Sequence, residues 1–203
     1  MLKKDLWIIA GPNGSGKTTL VNFYQTKLKR DLLFVNPDDI AKQIDPSYDG
    51  RDTSLIQKAG KLAIERQNAL LTEGISFGYE TTFSGQRDLK KIQAAQAEGY
   101  NVKLVFIGLN SYIDNIERVN DRVRDGGHYV LPADIIRRYD RSMNNLKKAI
   151  DMADSIYIFD NSSDRHRLFV RMKNKKILRY SWKMPEWIKK LDIKKSQERG
   201  ISK

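Results

Sequence analysis

The 203-residue chain has 37 Lys or Arg, 25 Asp or Glu and no Cys, giving a formal net charge of +12 at pH 7. Disulfides and thiolate metal sites are therefore excluded, and with only His128 and His166 present a histidine-based zinc site is not expected. No apolar run approaches the roughly 20 residues of a membrane-spanning helix, so we expect no membrane association and a cytoplasmic protein with one sizeable core.

The positive charge is concentrated near the C-terminus. Residues 165–203 hold 14 Lys or Arg and 3 acidic residues, whereas residues 1–164 hold 23 and 22. We therefore divide the chain into a nearly neutral domain, 1–164, and a basic segment, 165–203, that packs on it. A basic segment attracts nucleic acid or an acidic protein.

The first predicted element is an apolar strand over residues 6–10, which runs directly into the pattern GxxxxGK[ST]. This pattern predicts a P-loop, because glycines let backbone N–H groups approach phosphate oxygens closely. We expect Lys17 to reach the β and γ oxygens of ATP and the Thr18 hydroxyl to ligate Mg²⁺, at the start of a helix over 18–29. The expected ATP-binding residues are Gly11, Pro12, Asn13, Gly14, Ser15, Gly16, Lys17, Thr18 and Thr19. The alternative is a glycine-rich turn without a ligand.

A second apolar strand is predicted over residues 31–37, followed by a short helix. Ligands of open parallel α/β sheets bind at the carboxyl ends of the strands, so we expect Asn36 and Asp38 beside the P-loop as substrate-binding groups. The alternative is that Asp38 or Asp39 caps the short helix, which would leave the other carboxylate for substrate.

A helix over residues 53–72 and a third strand over 75–79 lead to Glu80, Thr81 and Thr82. An acid after a buried strand can hold Mg²⁺ or accept a hydrogen bond from a substrate hydroxyl. We expect Glu80 to do one or both, with Thr81 and Thr82 lining the substrate site. The alternative is a solvated loop glutamate.

A helix over 86–98 and a fourth strand over 101–109 precede a helix that Ser111 caps and that carries Arg118, Arg122 and Arg124. Arg118 and Arg122 share a face, whereas Arg124 lies on another. Arginines ahead of a Gly-Gly pair indicate a lid that neutralises the charge of a transferring phosphate. The alternative is a solvated basic face paired with neighbouring acids.

A long helix over 132–149 and a fifth strand over 155–159 complete the alternation of strands and helices, which indicates a parallel sheet. Asn161 follows that strand and either reads the adenine edge or forms an ordinary turn. The pattern then changes to a predicted β-hairpin over 167–182 and a short helix from Pro185. Its aromatic residues either stack on single-stranded nucleic acid or pack on the core.

Five motifs follow one another in the chain: GPNGSGKTT, FVNPDDIA, FGYETTFSG, ERVNDRVRDGGHYVLP and YIFDNS. Together they resemble the zeta toxin family of P-loop kinases over about residues 6–162. The resemblance implies a kinase-type P-loop NTPase fold with a five-stranded, mainly parallel sheet. It also implies ATP and Mg²⁺ as cofactors, a hydroxyl acceptor, in the best-known members UDP-N-acetylglucosamine, and a small antitoxin protein as partner.

By the same resemblance, Asp38 matches the family's proposed base, and Glu80 matches the acid that engages substrate or Mg²⁺. Arg118 and Arg124 are the best matches for two phosphate-facing arginines, with Arg122 as a rival. Two alternatives stay open. One is another P-loop kinase of a nucleoside, polynucleotide end or metabolite; the other is a nucleotide-dependent module that binds RNA or an acidic partner.

Overall fold

A computed structural model of the chain describes residues 4–28, 32–127, 129–163, 165–181 and 183–193. The strands are β1 Asp5–Ala10, β2 Leu33–Val35, β3 Phe77–Thr81, β4 Asn101–Gly108, β5 Ser155–Asp160, β6 Arg167–Lys173 and β7 Lys176–Tyr180. The helices are α1 Lys17–Leu28, α2 Pro37–Ile44, α3 Thr53–Glu73, α4 Gln86–Ala97, α5 Tyr112–Arg124, α6 Pro132–Ala149 and α7 Glu186–Lys189. None of these helices is long and apolar enough to cross a membrane.

The strands form one sheet in the order β2-β3-β1-β4-β5-β6-β7. All pairs from β2 to β5 are parallel, which confirms the predicted α/β fold with a mainly parallel sheet. The hairpin adds β6 and β7 as antiparallel strands, so the sheet has seven strands rather than the expected five beside a hairpin. The short connection from β5 to β6 favours antiparallel pairing, because a parallel crossover needs a dozen or more residues.

The two faces of the sheet are covered unequally. On one face the main core includes Ala59 of α3, Ile92 of α4, Leu146 of α6 and Trp187 of α7, all buried. On the other face a smaller cluster packs Leu20 and Val21 of α1 against residues of the central strands. This second face leaves Trp7, Phe34 and Tyr157 only partly buried.

Several element boundaries differ from the sequence predictions near the ligand edge. Pro37 opens α2 instead of ending β2, because the Asn36 side chain caps the helix and accepts a hydrogen bond from the Asp38 N–H at 2.9 Å. The expectation that an aspartate caps this helix is therefore wrong. β3 starts two residues later than predicted, since the Ile75 N–H closes the end of α3 by donating to the Leu70 carbonyl.

The C-terminal segment is integrated into the core. A two-residue turn at Asn174 and Lys175, with φ of +48° and +63°, joins β6 to β7. Trp187 is 5% exposed, and its indole N–H donates to the Asp160 carboxylate at 2.9 Å. Phe169 and Tyr180 also pack against the main core, as the packing alternative for this segment expects, and Trp182 lies outside the described residues.

Two long helices carry apolar residues at the surface. The bounds of α6 agree with the prediction, and Ile136 on this helix is 41% exposed. In α3 the apolar residues Ile56 and Leu62 are also at the surface. Single apolar residues at the surface are common in folded proteins, so the periodic pattern places these helices better than it places each side chain.

Candidate active site

The P-loop lies between β1 and α1 and depends on close backbone approaches. Gly16 has φ of +92°, and a Cβ there would lie 2.5 Å from Nδ2 of Asn161. A Cβ at Gly14 would lie 2.6 Å from the Asn115 carbonyl oxygen in α5. Both positions therefore require glycine, for conformation and for space.

Three side chains hold carbonyl groups of the P-loop. Nδ2 of the buried Asn115 donates to the Asn13 carbonyl at 2.6 Å. Nδ2 of Asn161, at the end of β5, donates to the Ser15 carbonyl at 3.0 Å. Nε2 of His166 lies 3.1 Å from the Gly16 carbonyl oxygen. With carbonyl groups held from the protein side, the loop can present N–H groups to an anion.

Asn161 therefore lies against the P-loop backbone and is buried. Its carbonyl also accepts a hydrogen bond from Arg118 at 2.6 Å. These contacts favour a positioning role for Asn161, whereas contact with the adenine edge stays a prediction.

Lys17 and Thr18 start α1 beside Glu80. Nζ of Lys17 donates to the carbonyls of Gly11 and Pro12 at 2.9 and 3.0 Å. The Thr18 hydroxyl donates to the Glu80 carboxylate at 3.0 Å. Thr19 is exposed in the same first turn.

The charged side chains beside the P-loop change one another's pKa values. Burial lowers the pKa of Lys17 to about 8; the carboxylates of Glu80 and Asp38 oppose the shift, and the Arg122 guanidinium adds to it. Burial likewise raises the pKa of Glu80, against the opposing effects of the Lys17 ammonium and the Thr18 hydroxyl. Glu80, Asp38 and Arg122 therefore lie within electrostatic reach of Lys17, and Asp38 lies within reach of Glu80.

The donor set fits Mg²⁺. The Thr18 hydroxyl and Glu80 carboxylate oxygens are hard ligands, and their 3.0 Å separation matches two adjacent positions of an octahedral shell with ligands at about 2.1 Å. In the described part of the chain, no cluster of three or more His, Cys, Asp or Glu suited to a metal occurs. One or two protein ligands suffice for Mg²⁺ in such sites, because phosphate oxygens and water fill the other positions.

Asp38 lies in the first turn of α2 and is exposed, so its carboxylate can meet an incoming substrate. The hydroxyl of Tyr48, in the turn after α2, makes a side-chain hydrogen bond with Asp38. Burial first, and then the Asp38 carboxylate, raise the pKa of Tyr48 to about 12. Tyr48 therefore stays protonated at neutral pH and donates to Asp38.

The two threonines after Glu80 turn to structural partners. The Thr81 hydroxyl donates to the carboxylate of buried Asp88 at 3.0 Å and accepts from the Phe83 N–H at 3.0 Å. The oxygen of the Thr82 hydroxyl lies 3.0 Å from that of Ser84. Through these two hydrogen bonds Thr81 stabilises the segment that follows β3. Contact of either threonine with substrate stays a prediction.

The three predicted lid arginines have different surroundings. Arg118 lies beside the P-loop through its bond to Asn161, and Arg122 is near enough to Lys17 to affect its pKa. Arg124 is 79% exposed and forms a surface ion pair with Asp121 at 3.1 Å, so the structure does not bring it to the P-loop. Gly127 closes the end of α5 by donating to the Arg122 carbonyl at 2.8 Å. His128 lies outside the described residues.

Sequence reasoning missed four residues around the site: Tyr48, Asn115, Arg138 and His166. The guanidinium of Arg138 on α6 reaches the Asn13 side-chain oxygen at 3.5 Å. A signal existed for Asn115, because a polar residue one turn before Val119 on an apolar stripe needs a partner. Tyr48 and Arg138 carried no such signal, since they lie in a turn and on a basic helix surface.

The P-loop joins β1 to α1, and Glu80, on the neighbouring strand β3, lies beside Thr18. These features define a nucleotide-binding P-loop protein of the kinase-type fold. The sequence matches the Zeta toxin family over residues 2–173. The chain therefore belongs to that family, which confirms the resemblance seen in its motifs.

The chain also has similar proteins in sequence and in structure. An uncharacterized protein of Haemophilus influenzae (strain ATCC 51907 / DSM 11121 / KW20 / Rd) is 32% identical over 146 residues, which cover 68% of this chain and 100% of the relative. A structure from the PezAT chromosomal toxin–antitoxin system of Streptococcus pneumoniae is similar with a TM-score of 0.65 and 16% identity, covering 100% of this chain and 89% of that one.

The AvrRxo1-ORF1:AvrRxo1-ORF2 complex with sulphate ions contains a chain that is similar with a TM-score of 0.69 and 16% identity. The match covers 93% of this chain and 63% of that one, so this chain spans less than two thirds of that relative. The same complex with ATP gives a TM-score of 0.67 at 15% identity, covering 94% and 63%. At these identities the structural likeness concerns the fold.

Proposed function

We propose that this chain transfers the γ-phosphate of ATP to a hydroxyl group of a small-molecule acceptor. The observation that supports the proposal best is the placement of the Glu80 carboxylate 3.0 Å from the Thr18 hydroxyl, within electrostatic reach of Lys17 and Asp38. A phosphate-binding loop, a metal-binding pair and an exposed carboxylate then share one edge of the sheet. Phosphoryl transfer needs those three parts.

The P-loop binds the donor in this proposal. Its N–H groups and the Lys17 ammonium hold the β and γ phosphates, and the orphaned hydroxyl of buried Ser15, which has no partner among the described residues, is a further polar group of the loop. Thr18 and Glu80 would hold Mg²⁺, which supplies charge neutralisation to the phosphates.

Asp38 faces the acceptor. Its carboxylate takes the proton of the acceptor hydroxyl as the oxygen bonds to the γ-phosphorus, and the bond from that phosphorus to the β–γ bridging oxygen breaks to release ADP. Arg118 and Arg122 neutralise charge on the transferring group. Tyr48 orients Asp38 through the hydrogen bond between their side chains.

The test uses purified protein, Mg²⁺ and ATP labelled at the γ position, with panels of hydroxyl acceptors. UDP-N-acetylglucosamine comes first because of the family resemblance, followed by nucleosides, oligonucleotide ends and a metabolite extract. Asp38→Asn is the matched control, since it should bind ATP and transfer phosphate about 10²- to 10⁴-fold more slowly. Labelled product that forms equally with both proteins, or with neither for every acceptor, would contradict the proposal.

A protein partner of antitoxin type is part of the same proposal. Support comes from membership of the Zeta toxin family and from the likeness to a structure of a toxin–antitoxin system. Induced expression should then arrest bacterial growth for the natural sequence and not for Asp38→Asn at equal protein level. Equal growth with both proteins would argue against toxicity without touching the transfer reaction in vitro.

A further inference from the structure

The face of the sheet that carries α1 contains an open groove away from the P-loop. The groove has a volume of about 560 Å³, within the range of ligand-binding pockets. Its walls include the aromatic side chains Trp7, Tyr24, Phe34 and Tyr157, with Arg171 at one side. None of these side chains belongs to the proposed kinase site.

Two aromatic rings of the groove lie nearly parallel to each other. Trp7 and Tyr157 stack with ring centroids 6.3 Å apart and an angle of 18° between their planes. Nζ of Lys103 lies 4.5 Å from the centroid of the Trp7 ring, and the Arg171 guanidinium carbon lies 5.7 Å from that of Tyr157. Cations and π-faces are therefore side by side along this groove.

Beside the groove, the hairpin carries a strip of four cations, Arg171, Lys173, Lys176 and Arg179, which strand pairing places next to one another. Arg171 pairs with Tyr157 on one side and with Arg179 on the other. Beyond a register shift between Arg171 and Met172, Lys173 pairs with Lys176, two residues further along β6 than Arg171. These four cations are exposed, whereas the intervening Met172 is buried in the main core. Because side chains alternate along a strand, Arg171 and Lys173 share the face of the groove.

The charges of this strip oppose one another. Like charges directly opposite across two strands destabilise a sheet, so the pairs Arg171–Arg179 and Lys173–Lys176 lower the stability of the hairpin. Lysine on an edge strand also prevents aggregation, but that role does not require a second row of cations on β6. Asp5, the acid among the groove residues, is neutralised by Lys103 at 2.6 Å. Among the described residues no acid forms an ion pair with these four cations, so the strip presents positive charge beside the aromatic rings.

From this juxtaposition we propose that the groove and the strip bind single-stranded nucleic acid. The cations of the strip contact successive phosphates, and unpaired bases stack on Trp7 and Tyr157. The bases of a duplex stack on one another, so a duplex would contact the cations of the strip but not stack on the aromatic rings. An acidic protein would likewise not need the rings. The proposal does not depend on kinase activity, because it uses no residue of the P-loop edge.

The test measures binding of fluorescein-labelled 12-nucleotide oligo(U) to the full chain by anisotropy over a range of salt concentrations. The double variant R171Q/R179Q should bind about tenfold more weakly. Its slope of log affinity against log salt should be less steep by about 1.4, because each of the two phosphates that the variant no longer neutralises accounts for about 0.7. The matched control is K147Q/K148Q, which removes two exposed cations from α6 on the other face and should behave as the natural chain.

Stacking is tested separately by Tyr157→Leu, with thermal unfolding monitored to confirm that the variant is folded. Removing the ring on which one base stacks should weaken oligo(U) binding about 5- to 100-fold and leave the salt slope unchanged. A 12-base-pair duplex should bind more weakly than oligo(U) and be insensitive to Tyr157→Leu. The proposal is overturned by absence of oligo(U) binding, by equal weakening in both charge variants, or by polyglutamate binding as tightly as oligo(U).

Discussion

The proposed site has a phosphate side, formed by the P-loop, and an acceptor side, formed by Asp38. The two sides are held in position in different ways. On the phosphate side, Asn115, Asn161 and His166 fix carbonyl groups of the P-loop, and two of these side chains are buried. On the acceptor side, Asp38 is exposed, and its position depends on the Asn36 cap and on Tyr48. The phosphate side is held by buried side chains, whereas the acceptor side lies at the protein surface.

This difference separates what the family shares from what the individual protein selects. A loop that binds the phosphates of ATP meets the same ligand in every P-loop kinase, so a rigid, buried arrangement suits it. An acceptor site must match one particular alcohol, and surface segments vary more readily than core segments. We therefore expect variants on the acceptor side to change transfer while ATP binding persists.

The largest expected effect separates the two sides directly. Asp38→Asn keeps the size of the side chain and removes the base, so kcat should fall by about 10²- to 10⁴-fold. The dissociation constant of ATP, measured by calorimetry, should stay within about twofold, because the Asn36 side chain still accepts a hydrogen bond from the backbone N–H of residue 38 and caps α2. A parallel loss of ATP binding would place Asp38 on the phosphate side and contradict the comparison.

The next effect concerns the arginines of α5. Arg118→Ala removes a cation that is bonded to Asn161 beside the P-loop, and kcat/KM should fall by about 10²-fold. Arg124→Ala is the matched control, since it breaks only an exposed ion pair with Asp121, and steady-state kinetics should change less than twofold. Equal losses in both variants would contradict the different roles assigned to Arg118 beside the P-loop and Arg124 at the surface.

The phosphate side was more predictable from the sequence than the acceptor side. The motif from Gly11 to Thr18 identifies its own ligand, because glycine spacing and a Lys-Thr pair restrict the chemistry. Glu80 was predicted as a site residue because it follows a strongly apolar strand, and the structure places its carboxylate 3.0 Å from the Thr18 hydroxyl. Tyr48 was not, because its bond to Asp38 joins a turn to a helix and leaves no pattern in the sequence.

The C-terminal segment illustrates a second limit of prediction. Its hairpin and short helix were expected, yet composition alone could not tell which face each side chain takes. Trp187 is buried against Asp160, while Arg171 lines the groove and Lys173 lies on the same face of β6, because of their register with β5. Register depends on contacts between distant segments, so aromatic and basic residues that mix in the sequence separate in the fold.

A smaller effect concerns pH and tests the burial of Lys17. Its pKa of about 8, lowered by burial, means that the ammonium loses its proton as pH rises through that value. ATP binds more tightly when Lys17 is protonated, so the affinity for ATP should fall about tenfold between pH 7 and pH 9. Near pH 8 the protein should take up protons when ATP binds. Lys17→Met should bind ATP weakly and with little dependence on pH over this range. An affinity of the natural chain that does not change with pH would contradict the shift.

The smallest expected effect lies on the acceptor side again. Tyr48→Phe removes the hydroxyl that donates to Asp38 and leaves the ring packed against the main core, so kcat should fall only about three- to fivefold. The KM for ATP should not change, since the base is misoriented while the phosphate side is intact. Tyr48→Leu serves as a packing control and should add a loss of thermal stability. If Tyr48→Phe raised the KM for ATP and left kcat unaltered, Tyr48 would belong to nucleotide binding, and the division between the two sides would fail at this residue.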